Sequence, residues 1–398
     1  MNREEILNKS LALLKENNYR GTIVLTMGTG KSILSQNVIK EIFPTRVLIV
    51  TPRNLLNESW INTLKNYLPE YTNYNIVVKT IKSIYNNSKE YFDQFDLFIF
   101  DECHTIDEAY FKPLSIIDKD AKVILLTGTP NKELPFKKNV LYKEFPILIE
   151  YYDAQKDGIT NKINTYVIQY ELSDRYKVES GSTLKRFMVG EKKQYKYLTE
   201  RYDRASKRMF NIGSTNLISD SIAWLKSDDK EVKSIASEFI GAMNSRRRFL
   251  QNLSSSIAYT KLIISNIQKY SNNKILTFHE SVESANKISP YAVHGKNPKE
   301  YNKELLTKFN NGDIPVLSSV NSLTMGINLV NAKYSIFESF NGSYTSVSQK
   351  LHRLSRLNPT DHAVAFFVVP KDTQSSVWMD SNQIDYKVIS LLDIKNVL

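Results

Sequence analysis

The 398-residue sequence has few of the features that mark secreted or membrane proteins. Its single cysteine, Cys103, excludes an internal disulfide framework and a multi-cysteine zinc site. No apolar run approaches the ~20 residues that a bilayer-spanning helix needs, and the terminus that begins Met1-Asn2-Arg3 lacks the apolar core of a signal peptide. These absences predict a soluble, cytoplasmic protein that has no membrane partner.

Acidic residues are outnumbered by basic ones. The chain has 53 Lys and Arg against 42 Asp and Glu, which gives a formal net charge of +11. This excess favours a polyanionic partner such as nucleic acid. The chain is also rich in Lys, Asn, Ile and Tyr, a bias that an AT-rich genome also produces, so the charge supports a nucleic-acid partner without establishing one. The length predicts two or three domains with substantial cores.

The clearest local motif is the turn Gly28-Thr29-Gly30-Lys31-Ser32, which lies between an apolar run at 22–25 and a helical pattern. The glycines let backbone N–H groups turn toward phosphate oxygens, while Lys31 reaches the β- and γ-phosphates and Ser32 ligates magnesium. Leu25 stands where the generic pattern begins with glycine. The alternative is an ordinary turn with a solvated Lys and Ser. Nucleotide contacts are predicted for Met27, Gly28, Thr29, Gly30, Lys31 and Ser32.

Strand-like and helical patterns alternate through the first 150 residues. Apolar runs at 46–50, 76–79, 97–100 and 122–126 predict strands, with helical patterns between them. This alternation indicates a parallel sheet, in which ligands bind beyond the carboxyl ends of the strands. The polar residues that follow the strands are therefore expected on one functional edge: Thr51-Pro52-Arg53, Thr80, Asp101-Glu102 and Thr127-Gly128-Thr129-Pro130.

Two acids, Asp101 and Glu102, directly follow the apolar run at 97–100. A buried strand that ends in this way can deliver a carboxylate to magnesium, with Asp101 holding the metal and Glu102 deprotonating the attacking water. A solvated strand end is the alternative. His104 is a candidate coupler between the nucleotide site and a second domain, or a plain surface or core histidine, and Cys103 fits a packed small residue.

In this order the motifs resemble those of the superfamily 2 helicases and translocases. Residues 28–32 are similar to motif I, 51–53 to motif Ia, 101–104 to the DExH motif II and 127–130 to motif III. In the second half, residues 319–332 resemble motif V and 349–356 resemble motif VI. The spacing from Ser319 to Gly326 looks most like that of the Swi/Snf and phage branch-migration branches.

The resemblance and the alternation together predict an α/β fold of two RecA-like domains, each a parallel sheet flanked by helices, with a mostly helical middle insertion. The expected boundaries are 1–150 for the first domain, 151–256 for the linker and insertion, and 257–398 for the second domain. Within the insertion, an apolar stripe at helical spacing predicts core packing, and it comprises Tyr195, Leu198, Tyr202, Ala205 and Met209. The basic residues beside this stripe either track a phosphate backbone or form a solvated face.

The resemblance implies an enzyme that uses ATP and Mg²⁺ to move along, unwind or branch-migrate nucleic acid, with DNA favoured over RNA. Recombination, repair or replication of DNA, in a phage, is the setting it suggests. Three alternatives stay open: an RNA helicase with the same chemistry, a pure double-strand translocase, and a catalytically idle binding scaffold. An adenine-contacting glutamine is not evident upstream of the glycine turn, and no nuclease, zinc-finger or winged-helix signature is evident.

The resemblance also assigns a role to each candidate residue. Arg353 and Arg356 lie three apart on one helical face, so both can stabilise charge on the transferred phosphoryl group, unless they belong to an exposed basic helix. The catalytic candidates are Lys31, Asp101, Glu102, Arg353 and Arg356, and the metal ligands are Ser32 and Asp101. Further nucleotide contacts fall on Gly326, Asn328 and Gln349, and coupling falls on His104, Thr127 and Thr129. Nucleic-acid contacts fall on Thr51, Pro52, Arg53, Thr80, His279 and Ser319.

Overall fold

The computed structural model describes most of the chain. The described residues are 2–25, 28–68, 73–103, 111–128, 151–182, 185–320, 332–351, 354, 361–382 and 384–398. They divide into two compact units, the first built mainly from residues up to 163 and the second mainly from residue 164 onward. Some predicted site residues lie outside the described residues: Met27, His104, Thr129, Gly326, Asn328, Arg353 and Arg356.

A parallel sheet forms the centre of the first unit. Its strands are β1 (Arg20–Val24), β2 (Arg46–Thr51), β3 (Asn75–Thr80), β4 (Leu97–Phe100) and β5 (Lys122–Thr127). They lie in the order β1-β5-β4-β2-β3, and every neighbouring pair is parallel. The helices are α1 (Arg3–Glu16), α2 (Lys31–Ile42), α3 (Asn54–Tyr67), α4 (Ile81–Ile84), α5 (Lys89–Phe92), α6 (Phe111–Ile116) and α7 (Tyr151–Lys156).

Both faces of this first sheet are covered by apolar side chains. Alternate residues of a strand face opposite sides, so Val47 and Ile49 of β2 enter one hydrophobic cluster while Leu48 and Val50 enter another. Cys103 is fully buried in the second of these clusters, in agreement with its prediction as a packed residue. Burial on both faces is typical of parallel sheets and leaves the strand ends as the exposed functional edge.

The second unit contains a larger sheet. Its strands are β6 (Lys162–Tyr170), β9 (Lys274–His279), β10 (Ala292–Val293), β11 (Val316–Val320), β12 (Ala332–Phe337), β13 (His362–Pro370) and β14 (Lys387–Val388). They lie in the order β10-β11-β9-β12-β13-β6-β14, and the run from β10 to β13 is parallel throughout. A separate antiparallel hairpin joins β7 (Lys177–Ser182) and β8 (Lys185–Gly190).

Helices make up most of the segment between β8 and β9. They are α8 (Glu191–Asn211), α9 (Leu217–Trp224), α10 (Lys230–Leu250) and α11 (Ser254–Tyr270), and further along the chain come α12 (Val282–Ile288), α13 (Lys299–Asn311), α14 (Tyr344–Leu351), α15 (Gln374–Ser381) and a 3-10 helix (Leu391–Asn396). Among the described residues, no helix combines the length and apolar composition that crossing a bilayer requires.

The helical segment 191–250 has a small core of its own. Ala205 and Met209 of α8 pack there with Ile235 and Phe239 of α10. The predicted apolar stripe is therefore confirmed as packing. Part of the basic flank is engaged within the protein, since Arg208 pairs with Glu238 across the two helices.

Candidate active site

The glycine turn between β1 and α2 adopts a conformation that suits phosphate binding. Gly28 and Gly30 have φ of 84° and 112°, in the left-handed region that favours glycine. A Cβ on Gly30 would lie 3.3 Å from Leu7 Cδ2 of α1, so the turn is also tightly packed. Gly30 is the N-cap residue of α2, and within the described part of the chain no side chain caps that helix. The N–H groups of its first turn are therefore available to an anion.

Lys31, the first residue of α2, lies beside the acidic end of β4. Its Nζ is 3.1 Å from Glu102 Oε1, and each side chain is only 12% exposed. Glu102 adopts φ of 49°, an unusual value for a residue other than glycine that costs on the order of 1–3 kcal/mol. The sharp left-handed turn directly after β4 thus brings the carboxylate of Glu102 to the ammonium of Lys31.

The neighbouring carboxylate of Asp101 is held from two sides. Its Oδ2 accepts a hydrogen bond from Trp60 Nε1 of α3 at 2.9 Å, and its Oδ1 accepts one from the backbone N–H of Glu102 at 3.0 Å. Burial, and then the charge of Glu102, raise the pKa of Asp101 to about 6, while Lys31 and the two hydrogen bonds act in the opposite direction. The positive charge near Asp101 therefore does not fully offset its burial and the negative charge of Glu102.

These residues fit a magnesium–nucleotide complex. Each oxygen of Asp101 accepts one described hydrogen bond and keeps a lone pair for a metal ion or its water. A divalent cation bound there would act to lower the pKa of Asp101, because it stabilises the ionised carboxylate. The half-buried Ser32 in the first turn of α2 offers a hydroxyl ligand, and Lys31 with the glycine turn suits the phosphates.

The other predicted residues of the first unit follow the same edge of the sheet. Thr127 ends β5 beside Val24 of β1, and its carbonyl accepts from Leu25 N at 2.9 Å. Thr51 and Thr80 are register partners at the ends of β2 and β3. The structure therefore brings the described candidates of this unit to one edge, as the alternation predicted. Arg53 is exposed there and Pro52 is half-buried.

The described candidates in the second half of the chain, His279, Ser319 and Gln349, have buried side chains. His279 is fully buried at the end of β9, with Nδ1 3.1 Å from Glu338 Oε2 and Nε2 2.8 Å from Thr277 Oγ1. Ser319 of β11 is 1% exposed, and Gln349 of α14 is 6% exposed. His279 therefore contacts protein atoms through both ring nitrogens. The nucleic-acid contacts of His279 and Ser319 and the nucleotide contact of Gln349 stay predictions.

Sequence reasoning missed two residues of α3, Asn57 and Trp60. Trp60 contacts a carboxylate 41 positions away, and Asn57 accepts from the Thr51 hydroxyl at 2.6 Å. The helical pattern at 55–67 predicted α3 but gave no sign of these partners. The one signal in the sequence was the indole N–H of Trp60, a few positions after the predicted functional segment 51–53.

Comparisons with known proteins cover most of the chain. Residues 2–132 match the family described as type III restriction enzyme, res subunit, and residues 249–358 match the helicase conserved C-terminal domain. The DNA 3'-5' translocase XPB2 of Sulfurisphaera tokodaii is 26% identical over 359 residues, which is 87% of this chain and 76% of that protein.

Solved helicase structures share the fold. The Hef helicase domain of Pyrococcus furiosus aligns with a TM-score of 0.55 at 15% identity, covering 96% of this chain and 97% of that one. Dbp5 of S. cerevisiae, bound to RNA and ADP BeF3, aligns with a TM-score of 0.57 at 11% identity, covering 95% and 87%. The predicted fold of two RecA-like domains is confirmed. The restriction-enzyme res-subunit family and the helicase C-terminal family, matched in order along the chain, together with the similarity to XPB2, support its assignment to helicase superfamily 2.

Proposed function

We propose that this chain is an ATP-dependent DNA translocase that couples hydrolysis of Mg²⁺-ATP to movement along DNA, with unwinding or branch migration as the result. One observation carries the proposal: Lys31 Nζ lies 3.1 Å from Glu102 Oε1 at a left-handed glycine turn, directly beside Asp101. The similarity to a DNA 3'-5' translocase supports DNA as the track. Such a motor would serve DNA recombination, repair or replication.

In this proposal, different residues of the first unit bind the phosphates, hold the metal and accept the proton. Lys31 and the N–H groups of the glycine turn bind the phosphates, while Ser32 and Asp101 hold magnesium, which when bound neutralises charge on the phosphate oxygens. Glu102 accepts a proton from the attacking water. Lys31 lies beside Glu102, so one ammonium serves both the phosphates and the orientation of the base.

The proposal gives the remaining candidates supporting roles. Arg353 and Arg356 stabilise charge on the transferred phosphoryl group. The nucleotide is contacted further by Met27, Gly326, Asn328 and Gln349. His104, Thr127 and Thr129 pass changes at the nucleotide to the DNA contacts, which are Thr51, Pro52, Arg53, Thr80, His279 and Ser319.

The test is steady-state ATP hydrolysis by the purified protein with duplex DNA, single-stranded DNA and RNA. We expect stimulation by DNA above that by RNA, and loss of hydrolysis in Lys31→Ala. Lys40→Ala, which removes an exposed lysine of the same helix, is the matched control and should retain the rate. An unchanged rate in Lys31→Ala refutes the assigned site, and stronger stimulation by RNA replaces the DNA motor by an RNA helicase.

The product of movement is decided by a substrate panel of forks, four-way junctions and plain duplexes. Conversion of four-way junctions supports branch migration, and separation of forked strands supports unwinding. Displacement of a triplex-forming strand without separation of the duplex identifies a pure double-strand translocase. Binding without any hydrolysis identifies the idle scaffold.

A further inference from the structure

One turn of α3 contacts the ends of two strands. It touches Asp101, which directly follows β4, and Thr51, the last residue of β2. The indole of Trp60 is 97% buried, and its N–H donates to Asp101 Oδ2 at 2.9 Å. Asn57 lies three positions earlier, and its side-chain oxygen accepts from the Thr51 hydroxyl at 2.6 Å. Residues three apart project from the same side of a helix, so the two contacts belong to one rigid turn.

The indole N–H is suited to fixing a metal-binding carboxylate. It donates one hydrogen bond and accepts none, and it carries neither charge nor a titratable proton. It therefore occupies a single lone pair of Asp101 Oδ2 and sets the orientation of the carboxyl plane, while the opposite oxygen is fixed by Glu102 N. Trp60 also belongs to the hydrophobic cluster that contains Ile49 and Ile99, so its ring position is set by packing against the sheet.

The Asn57 contact ties the same helix to the predicted DNA-binding segment. The Thr51 side chain is buried, and the hydroxyl also lies 3.1 Å from the carbonyl of Arg53, the exposed residue that begins α3 as its N-cap. A displacement of residues 51–53 on a DNA strand therefore carries α3 with it. Since Trp60 lies three positions after Asn57 on the same turn of this helix, such a displacement changes the distance between the indole and Asp101.

We infer that Trp60 is a positioning residue: it orients Asp101 for magnesium and, through Asn57 on the same turn of α3, passes movement of residues 51–53 to that carboxylate. The inference deepens the proposed function and rests on it for the identity of the metal and the track. Contacts between a metal-binding side chain and its supporting partner commonly set metal affinity without touching the metal.

The first test replaces Trp60 by phenylalanine, which keeps an aromatic ring and removes the N–H. In Trp60→Phe we expect the Mg²⁺ concentration for half-maximal hydrolysis to rise about 10-fold, with a smaller change in the rate at saturating Mg²⁺. Trp224→Phe, at a partly buried residue packed against the core of the helical segment 191–250, is the matched control and should leave the Mg²⁺ requirement unchanged. An unchanged Mg²⁺ requirement in a folded Trp60→Phe protein overturns the inference.

A second readout needs neither hydrolysis nor metal. The chain has three tryptophans, so its indole N–H groups give three ¹H–¹⁵N resonances, assigned with Trp60→Phe, Trp224→Phe and Trp378→Phe. In the metal-free protein, Asp101→Ala should shift the Trp60 resonance upfield, because the hydrogen bond to a carboxylate is lost, and should leave the other two in place. An unchanged chemical shift of the Trp60 indole N–H in Asp101→Ala overturns the inference. This outcome is decisive even if the protein hydrolyses no ATP.

The coupling part has its own variant, Asn57→Leu, which keeps the bulk of the side chain and removes the acceptor of the Thr51 hydroxyl. We expect the shift of the Trp60 resonance on adding duplex DNA to shrink, and the fold-stimulation of hydrolysis by DNA to fall, while the Mg²⁺ requirement without DNA stays as in wild type. Full stimulation and a full DNA-dependent shift in Asn57→Leu overturn the coupling. Loss of hydrolysis in every variant, wild type included, refutes the proposed function instead.

Discussion

Glu102 Oε1 and Lys31 Nζ lie 3.1 Å apart although 71 positions of sequence separate them. The parallel sheet brings them together across β5, which lies between β1 and β4, since the turn that follows β1 and the turn that follows β4 open on the same edge of the sheet. The pair is largely buried, so each charge stabilises the other.

Removing the carboxylate of Glu102 should separate binding from chemistry. In Glu102→Gln the base is lost, so kcat should fall by about 10²–10⁴-fold. ATP affinity should hold or increase, because Lys31 no longer pairs with a competing carboxylate. Single-turnover hydrolysis and nucleotide titration measure the two effects. Glu90→Gln, an exposed acid of α5, should change neither, and equal losses of affinity and rate in Glu102→Gln would contradict the assigned role.

The metal-free protein should show the raised pKa of Asp101 in its stability. The folded pKa of about 6 exceeds the usual 3.8, so between these values the folded state holds a proton that the unfolded state has released. This contribution to the free energy of unfolding is present at pH 4 and is lost as the pH rises to about 6, by on the order of 1–3 kcal/mol.

Urea unfolding of wild type and Asp101→Asn at pH 4.5 and 7.5 measures this contribution as a difference between the proteins. The difference is needed because Glu90, Asp220 and Asp393, whose pKa values are lowered by hydrogen bonds, give the opposite trend in both proteins. Identical pH dependence of the two proteins would show that Asp101 titrates normally.

Hydrolysis should have an acid limb that depends on magnesium. Protonation of Asp101 below its raised pKa removes a metal ligand, so the rate at low Mg²⁺ should fall as the pH drops through about 6. Higher Mg²⁺ should move the midpoint to lower pH, because the metal competes with the proton. The hydrolysis rate measured over a pH series at two Mg²⁺ concentrations tests this. A midpoint of the acid limb that is the same at both concentrations argues against Asp101 as the ligand.

Two of the glycines with positive φ, Gly30 and Gly158, should respond differently to substitution by alanine. Both have positive φ, so each substitution should cost about 1–2 kcal/mol of stability. At Gly158 a Cβ meets nothing within 4 Å, whereas at Gly30 it approaches Leu7. Gly30→Ala should therefore also impair hydrolysis, while Gly158→Ala should keep it. Thermal unfolding and ATPase assays separate the effects, and equal hydrolysis in both variants would speak against a phosphate-binding turn.

Disrupting the buried pair of His279 and Glu338 should lower the free energy of unfolding more than it lowers the affinity for DNA. His279→Ala removes contacts at both ring nitrogens and leaves Glu338 without its imidazole partner, at a cost of about 2–4 kcal/mol. His362→Ala, an exposed histidine, is the control. Chemical denaturation with a DNA-binding titration tests this. Weakened DNA binding with unchanged stability would instead support His279 as a direct DNA contact.

Sequence patterns anticipated the first sheet well, because its strands are apolar runs and its functional residues follow them directly. The predicted run at 97–100 coincides with β4, and the strand ends deliver Thr51, Thr80, Asp101 and Thr127 to one edge. Local periodicity and the rule for parallel sheets were sufficient there.

Other features depend on partners that local patterns do not encode. Strand β7 is mostly polar and carries Gly181, and the apolar residues of β8 are consecutive and do not alternate with polar ones, so neither strand shows an apolar period of two. The bond between Trp60 and Asp101 requires the packing of α3 on the sheet, and the left-handed backbone of Glu102 follows from the site that surrounds it. Long-range contacts decided each of these.

Strand β6 precedes the helical segment in sequence yet lies inside the second sheet, between β13 and β14. A fragment that starts at the helices would therefore lack an interior strand and would leave an unpaired edge of β13 open to aggregation. Anyone who expresses the carboxyl-terminal half by itself should begin upstream of Lys162. Conversely, deleting the segment between Tyr170 and Ser254, which holds the β7–β8 hairpin and helices α8 to α10, leaves every strand of that sheet in the chain.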